Sequence, residues 1–175
     1  MMQEPAANLI FLDESGITTE MTRHYGRGFG GQRVREGTPG HWRTLTVLGA
    51  IGLQGWVATM TIESPTDGDV FGAYVEQVLC PQLQPGQVVV MDNLSSHKVE
   101  GIRERIEATG ARLCYLPPYS PDFNPIERCW AQVKQHLRAA KARTLATLEV
   151  AIPDALNTVL ASHIKAYYRS CGYAA

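Results

Sequence analysis

The sequence predicts a domain of the α/β class, in which a mixed sheet is flanked by helices. Short apolar runs rich in β-branched residues recur along the chain and indicate strands. In the second half these runs alternate with segments of helical apolar spacing, which predicts parallel strand pairing there. The chain has 175 residues, of which 45% are hydrophobic and 19% are charged. This length and composition are typical of one globular domain with its own core.

Three strands are predicted in the first third of the chain. Residues 8–13 (NLIFLD) form a short apolar run that ends in an acid. Residues 44–51 and 56–62 are two further runs separated by a glycine-containing turn, so we expect an antiparallel meander. Residues 26–40 contain six glycines and one proline, which predicts a loop or an irregular hairpin between the first two strands.

Helices and strands alternate in the rest of the chain. Residues 70–79 have the apolar spacing of a helix. Residues 87–91 (QVVVM) are a continuous β-branched run, typical of a central strand that is covered on both faces. Ser95 or Ser96 is then expected to cap a helix that Gly110 ends.

The last predicted strand, residues 112–116, precedes the longest predicted helix. This helix starts at Pro125 and runs to about Arg143. Residues 144–173 form a further helical segment that Pro153 is expected to interrupt. Three leading antiparallel strands, followed by parallel strands and helices, are the element order of the ribonuclease-H-like fold.

The chain is close to neutral, with a formal net charge of −1, but its charges are unevenly distributed. Residues 44–97 contain five acids and no Lys or Arg, whereas residues 98–143 contain nine basic residues and five acids. Five further arginines lie between residues 23 and 43. Two basic regions around an acidic middle would suit a polyanion bound at metal-holding carboxylates, and an ordinary solvated surface explains them equally well.

Other features of the composition narrow the class of protein. No run of 18 apolar residues occurs, so we expect no membrane span. The first residues lack the basic region and cleavage site of a secretory signal, and we expect a cytoplasmic protein. The four cysteines lie far apart with no CxxC pair, which predicts reduced, mostly buried thiols rather than a zinc site or a disulfide framework.

Two acidic residues lie at the ends of predicted strands. Asp92 follows the run 87–91, and ligands of open α/β sheets gather at the carboxyl ends of central strands. Asp92 and Asn93 would equally form a simple turn. Asp13 ends the first predicted strand and could face the same side of the sheet as Asp92, while Glu14 should point to the other side. The first-strand acids are also explained as the polar start of a loop.

Glu127 lies in the first turn of the predicted long helix. Asn124, Pro125 and Glu127 occupy the N-cap, N1 and N3 positions, an arrangement in which the glutamate reaches back to the cap backbone. A carboxylate in this turn can also extend over the sheet edge toward a metal ion. The tetrapeptide alone favours the capping interpretation, and the motifs around it favour the metal.

Three motifs resemble, in order, the acidic motifs of the mariner-type transposases of bacterial insertion sequences, whose catalytic domain is a DDE superfamily endonuclease. They are FLDESG, VVVMDNLSSHK and LPPYSPDFNPIERCWAQVK, which contain Asp13, Asp92 and Glu127. The second and third acids are separated by 34 residues, a spacing familiar in that group. RHYGRGFGGQRV is similar to the loop after the first acid, and residues 170–173 to the end of these proteins. The resemblance covers nearly the whole chain.

The resemblance implies a catalytic domain at residues 1–143, with residues 144–175 as a C-terminal helical extension packed on it. It implies that Asp13, Asp92 and Glu127 are the catalytic, metal-binding residues for DNA strand cleavage and strand transfer. Carboxylates at close quarters need cations between them, and we expect Mg²⁺ or Mn²⁺, two ions in number. The implied partners are the DNA of the element's ends and of the target, and a second copy of the chain when assembled on DNA. In a bacterial cell such an enzyme would act at the nucleoid.

Other polar residues near the motifs have two open interpretations. Asn93, His97 and Asn124 are candidates for supporting the carboxylates through hydrogen bonds, or for turn, surface and cap roles. Basic residues are candidates for DNA contacts, or for a solvated surface. They are Arg27, Arg33, Arg35, Lys98, Arg128, Lys134 and Arg138, with Lys141 and Arg143 continuing the basic side of the long helix. Trp130 belongs to the apolar stripe of that helix, and we expect it in the core.

Two other functions stay open at this level. One is a nuclease of the same fold that does not transpose, which strand-transfer products would exclude. The other is a non-catalytic fragment that associates with a full transposase and inhibits it. Complete transposases of this type have an upstream helix-turn-helix region, and only seven residues precede the first predicted strand here. We therefore expect weak DNA affinity from this chain alone.

Overall fold

The centre of the molecule is a five-stranded mixed sheet of order β3-β2-β1-β4-β5, in a computed structural model that describes residues 4–23, 25–93, 100–118 and 120–175. β1 pairs antiparallel with β2, and β2 with β3, while β4 is parallel to both β1 and β5. The three leading antiparallel strands and the later parallel strands are as predicted. The strands are β1 (Leu9–Thr18), β2 (Thr44–Gly52), β3 (Gly55–Ile62), β4 (Val88–Met91) and β5 (Arg112–Tyr115).

β1 is longer than predicted. The expected end was Asp13, but the strand continues to Thr18 because β2 pairs with it along its whole second half, as far as Thr44. Ile17, near the far end of β1, is fully buried in the core. Asp13 therefore lies inside a paired strand and is not the first residue of a loop.

The described residues form five α-helices around this sheet. They are α1 (Gly68–Tyr74), α2 (Ile102–Ala108), α3 (Ile126–Ala140), α4 (Leu145–Asn157) and α5 (Ala161–Ser170). A single π-helical turn, Val75–Leu79, extends α1 as far as the predicted helix. α2 begins after Gly101, which has a φ of 85°. The expected caps of this helix, Ser95 and Ser96, lie outside the described residues.

Each face of the sheet has its own apolar core, and successive residues of β1 contribute to opposite cores. Phe11 lies with Trp130 and Tyr168 in the core under α3, α4 and α5. Leu12 lies with Phe71 in the core under α1 and α2. The hydroxyl of Tyr168 donates to the backbone oxygen of Leu9 at 2.9 Å, which ties α5 to the sheet.

Two predicted helix boundaries in the C-terminal part are wrong. α3 ends at Ala140, earlier than expected, because Lys141 adopts a left-handed conformation with a φ of 55°. Pro153 lies inside α4, and the interruption comes later, at residues 158–160. Burial of neighbouring Ile152 in the core holds this helix together across the proline.

The glycine-rich segment between β1 and β2 is a loop, as predicted. Its described residues contain one short 3-10 turn, Phe29–Gly31, and their side chains are mostly exposed. Across the described part of the chain, no helix is long and apolar enough to cross a membrane.

Candidate active site

Asp13 lies in β1, and Asp92 directly follows the adjacent strand β4. β1 and β4 are parallel with Leu12 opposite Met91, so the next residue along each strand is an aspartate. Neighbouring strands are about 4.8 Å apart, which puts the two backbones close together. Alternation along both strands directs Asp13 and Asp92 to the sheet face that α3 covers, and Glu14 to the opposite face.

Asp92 and Glu127 line the same cavity. This cavity of about 310 Å³ lies where β4 and β5 end and α3 begins. Asn93 and Asn124 also line it, so both predicted supporting amides lie beside the two carboxylates. The other described residues that line it lie in the turn from β5 to α3 and are Leu116, Pro117, Pro118, Ser120 and Pro121. Asp13 is 7% exposed and lies on the neighbouring strand, at the level of Asp92.

The N-terminus of α3 does not have the capping arrangement that the sequence suggested. The residue at the N-cap is Pro125, and no side-chain hydrogen bond caps the helix there. Asn124 is 4% exposed, and its Oδ1 accepts no hydrogen bond from the described residues. The backbone N–H of Glu127 donates to the carbonyl of Asn124 at 3.3 Å instead. The capping interpretation of Asn124 is therefore wrong, and this residue lines the cavity with a buried oxygen that has no partner among the described residues.

The oxygen atoms at this site are of the kind that hard divalent cations prefer. Asp92, Glu127 and Asn124 contribute side-chain oxygens to the cavity, Asp13 lies on the next strand, and no described cysteine lines the cavity. Within the described parts of the chain, no three His, Cys, Asp or Glu side chains lie close enough together to hold a metal ion. Carboxylates repel one another until a cation lies between them. The residues fit Mg²⁺ or Mn²⁺ by their chemistry, and the convergence of all three carboxylates stays a prediction.

Trp130 fixes α3 against the sheet beside Asp13. It is 2% exposed, as predicted for a core residue, and its ring lies 5.0 Å from that of Trp56. Gly49, the register partner of Asp13, lies under both rings, and a Cβ there would be 2.7 Å from Trp130. Sequence reasoning missed Gly49, although a glycine inside an apolar strand indicates a close approach of another group.

The basic candidates are distributed over two surfaces. Those in the glycine-rich loop, Arg27, Arg33 and Arg35, are exposed. On α3, Arg128 is exposed, while Lys134 and Arg138 are half-buried. Lys98 and the candidate supporting residue His97 lie outside the described residues.

Arg143 has a structural role. Its guanidinium donates to the backbone oxygen of Met21 at 2.7 Å and to that of Thr19 at 3.3 Å. It also forms a 2.6 Å ion pair with Glu36, which Lys141 approaches at 3.5 Å. These contacts join both ends of the glycine-rich loop to the end of α3, so Arg143 is not available as a phosphate ligand on the helix surface.

All four cysteines are free thiols. Cys129 and Cys171 are buried and Cys80 and Cys114 are half-buried, in partial agreement with the prediction. Burial raises the pKa of the Cys129 thiol to about 12. The Cys129 thiol is therefore protonated at neutral pH, which makes it a poor nucleophile and a poor metal ligand.

The sheet order, the helices on both faces and the acidic cavity at the carboxyl ends of the strands define a ribonuclease-H-like domain. Residues 8–149 match the family described as DDE superfamily endonuclease. The match covers most of the chain, which therefore belongs to this family. Comparison with curated protein sequences finds no significant match.

Solved structures of the Mos1 transposase have the same fold. The "Mos1 transposase paired-end complex with left transposon end" has a TM-score of 0.73 and 14% identity over 95% of this chain. The "catalytic domain of Mos1 mariner transposase" has a TM-score of 0.62 and 13% identity over 95% of this chain and 76% of that one. This chain spans 52% of the transposase chain in the paired-end complex, about half its length.

Proposed function

We propose that this chain is the catalytic domain of a DNA transposase that cuts and joins DNA strands with divalent metal ions held by Asp13, Asp92 and Glu127. The shared cavity of Asp92 and Glu127, next to Asp13, is the observation that carries the proposal. Structures of Mos1 with the same fold are described as paired-end and strand-transfer complexes, and as complexes with Mg or with Mn. These descriptions support both the DNA substrate and the divalent metal for this chain.

The three carboxylates have one task, which is to hold the cations and through them the scissile phosphate. Two bound Mg²⁺ or Mn²⁺ ions supply charge stabilisation at the attacking and leaving oxygens of an in-line displacement. Asp13 and Asp92 approach the site from neighbouring strands, and Glu127 from the first turn of α3. The packing of Trp130 against Gly49 fixes the start of α3, and with it the backbone of Glu127, relative to the sheet.

The reaction proceeds in two chemically similar steps. In cleavage, a water oxygen bonds to phosphorus, the P–O bond to the 3′ oxygen breaks, and a free 3′-hydroxyl remains on the element's end. In strand transfer, that 3′-hydroxyl replaces water as the nucleophile and bonds to a target phosphorus. The 3′ oxygen of the target strand is the leaving group. One set of carboxylates serves both steps because only the nucleophile changes.

Neighbouring amides and one histidine have supporting roles in this proposal. Asn93 and Asn124 line the cavity and can orient the carboxylates or accept a bond from a metal-ligated water. His97 follows Asp92 closely in sequence and is proposed as a proton carrier. Asn124 has the strongest support, since its buried Oδ1 lacks a partner among the described groups.

We further propose that residues 144–175 are an extension of the catalytic domain of residues 1–143. Tyr168 donates to the backbone of both Leu9 and Ile51, and Trp56 donates to the backbone of Leu156. These bonds join the C-terminal helices to three strands of the sheet. The proposed assembly on DNA is a homodimer, because transposition joins two element ends.

Strand transfer is the activity that separates a transposase from a nuclease of the same fold. The assay uses the purified chain, a labelled DNA duplex with free 3′-hydroxyl ends, a supercoiled plasmid and Mn²⁺. We expect label to become covalently joined to the plasmid, and we expect Ca²⁺ to support binding without joining. Plasmid nicking without joined product would favour a nuclease. Absence of both activities, from a folded chain that binds Mn²⁺, would favour the non-catalytic fragment.

A further inference from the structure

A groove runs along the outer side of α3, starting one residue after Glu127. Two hollows, of about 730 and 520 Å³, meet at one stripe of this helix. The stripe consists of Ala131, Gln135 and Ala139, which are four residues apart and line both hollows. The two alanines project little, so the stripe leaves space for a ligand against the helix backbone. We call this surface the α3 groove.

Hydrogen bonds between α3 and the C-terminal helices hold the floor of the α3 groove in place. Gln132 Nε2 donates to the backbone oxygen of Thr158 at 2.7 Å and lies 3.2 Å from His163 Nδ1. The hydroxyl of Tyr167 donates to Gln132 Oε1 at 2.8 Å. Since the side-chain amide of Gln132 is fixed on both sides, the groove exists before any ligand binds.

The α3 groove has a basic lining. Arg128, His136 and His163 line one hollow, Arg23 and Arg138 line the other, and no Asp or Glu lines either among the described residues. None of these three arginines forms an ion pair within the described structure. Five arginines elsewhere are paired with glutamates, as Arg43–Glu63, Arg103–Glu107, Arg105–Glu76, Arg112–Glu4 and Arg143–Glu36. Arg27, Arg33, Arg35 and Arg169, like the arginines of the groove, form no ion pair among the described residues. The groove is distinguished from their surroundings by bringing its arginines to one hollowed helix face without a described carboxylate. A cluster of unpaired cations is unfavourable by itself and attracts a polyanion.

We propose that the α3 groove binds the phosphate backbone of DNA next to the strand held at Asp92 and Glu127. This inference rests on the proposed function, since DNA is the polyanion that would reach the groove. Arg128 and Arg138 are ten residues apart on the helix, a distance of about 15 Å, or about four nucleotides at 3.4 Å each. Arginine, glutamine and tyrosine side chains are common phosphate contacts. The proposal therefore gives the catalytic domain a DNA-positioning surface of its own, separate from the metal site.

A single isosteric substitution in the centre of the groove tests this proposal. Gln135→Glu adds one negative charge beside the bound phosphates, and Gln82→Glu adds the same charge at an exposed position at the end of the helix that follows β3. Affinity for a fluorescent DNA duplex is measured on the full chain with Ca²⁺ at low salt. We expect about tenfold weaker binding for Gln135→Glu and unchanged binding for Gln82→Glu.

A second comparison uses the salt dependence of binding. Replacing Arg23, Arg128 and Arg138 together by Gln should reduce the slope of log K against log salt by about 0.9 for each phosphate that the protein no longer neutralises. Arg112→Gln is the matched control, because it removes an arginine that is already paired with Glu4.

Three results would overturn the proposal. They are equal DNA affinity of the Gln135→Glu and Gln82→Glu proteins, no DNA binding by the unaltered chain, and loss of self-association by Gln135→Glu without loss of DNA affinity. The last result would assign the groove to a second protein. Failure of the metal mechanism would be seen in a different experiment, as metal-dependent nicking that persists in the Asp92→Asn protein.

Discussion

The indole ring of Trp130 lies over Gly49, so closely that a Cβ on this glycine would come within 2.7 Å of the ring. Gly49 is the register partner of Asp13, and Trp130 lies one helical turn after Glu127. This contact fixes the distance between α3 and the sheet at the level of Asp13. The distance between the carboxylates of Asp13 and Glu127 therefore depends on Gly49, which has no side chain.

Replacing Gly49 by Ala should force α3 away from the sheet. Overpacking of this kind typically costs about 1–3 kcal/mol, and we expect a loss of that size in the free energy of unfolding from urea titration. Gly16→Ala is the control on the neighbouring strand, since its Cβ would meet only Thr44 Cγ2 at 3.9 Å. Equal effects of the two substitutions would contradict the proposed role of the Trp130 contact.

Asn124→Ala should weaken metal binding without destabilising α3. The side-chain oxygen of Asn124 makes no capping hydrogen bond, so its removal should change the free energy of unfolding by less than about 0.5 kcal/mol. Thr144→Ala is the comparison, because Thr144 caps α4 and should cost about 1 kcal/mol when lost. Mn²⁺ affinity, measured by calorimetry, should fall for Asn124→Ala alone. A stability loss like that of Thr144→Ala would restore the capping interpretation.

Arg143→Gln should release the glycine-rich loop from the end of α3. The Arg143–Glu36 pair is only 24% and 19% exposed and is supported by two backbone oxygens, so we expect a loss of about 1–3 kcal/mol. Limited proteolysis should then cut between residues 20 and 43 faster. The Arg43–Glu63 pair is 67% and 51% exposed, and Arg43→Gln should change stability by under about 1 kcal/mol. Similar proteolysis of both variants would show that Arg143 does not hold the loop.

The sequence was sufficient to predict the order of strands and helices along the chain and the change from antiparallel to parallel pairing, and it gave three candidate carboxylates. Continuous β-branched runs indicated buried strands, and the three acidic motifs indicated which strand and helix ends form the candidate site. The longer β1 was not predictable from its own residues, because DESGIT is polar and becomes a strand only by pairing with β2. The predicted interruption at Pro153 was wrong for a related reason. Burial of α4 in the core outweighs the local tendency of proline to break a helix.

The absence of a cap at the start of α3 and the close contact of Trp130 with Gly49 could not be predicted from the sequence either. The tetrapeptide of residues 124–127 has the residue types of a capped helix, yet the side-chain oxygen of Asn124 makes no capping hydrogen bond, and Asn124 lines the acidic cavity. The direction of the Asn124 side chain, toward its own backbone or toward the cavity, depends on the conformation of the segment between β5 and α3. The need for glycine at position 49 comes from the Trp130 ring that packs on it, a long-range contact that the strand's own sequence does not specify.

Stability should fall at alkaline pH partly because of Cys129. Burial raises the pKa of this thiol from 9.0 to about 12, so the folded protein holds the proton more tightly than the unfolded chain. Its contribution is therefore intact below pH 9 and is lost as the pH rises toward 12. The urea midpoint of Cys129→Ala should decline less between about pH 8 and pH 10.5 than that of the unaltered protein. Parallel declines would show that other buried groups account for the whole effect.

The Asp92→Asn substitution distinguishes a metal-binding Asp92 from an aspartate that only forms a turn. The substitution keeps the size of the side chain and removes the charge that would hold the cations. We expect it to abolish Mg²⁺- and Mn²⁺-dependent nicking of plasmid DNA while the protein stays folded, and to raise the melting temperature without metal because carboxylate repulsion is relieved. The assay is run at high protein concentration and low salt, so that DNA is bound. Unchanged nicking by well-folded Asp92→Asn protein would contradict the mechanism proposed for this site.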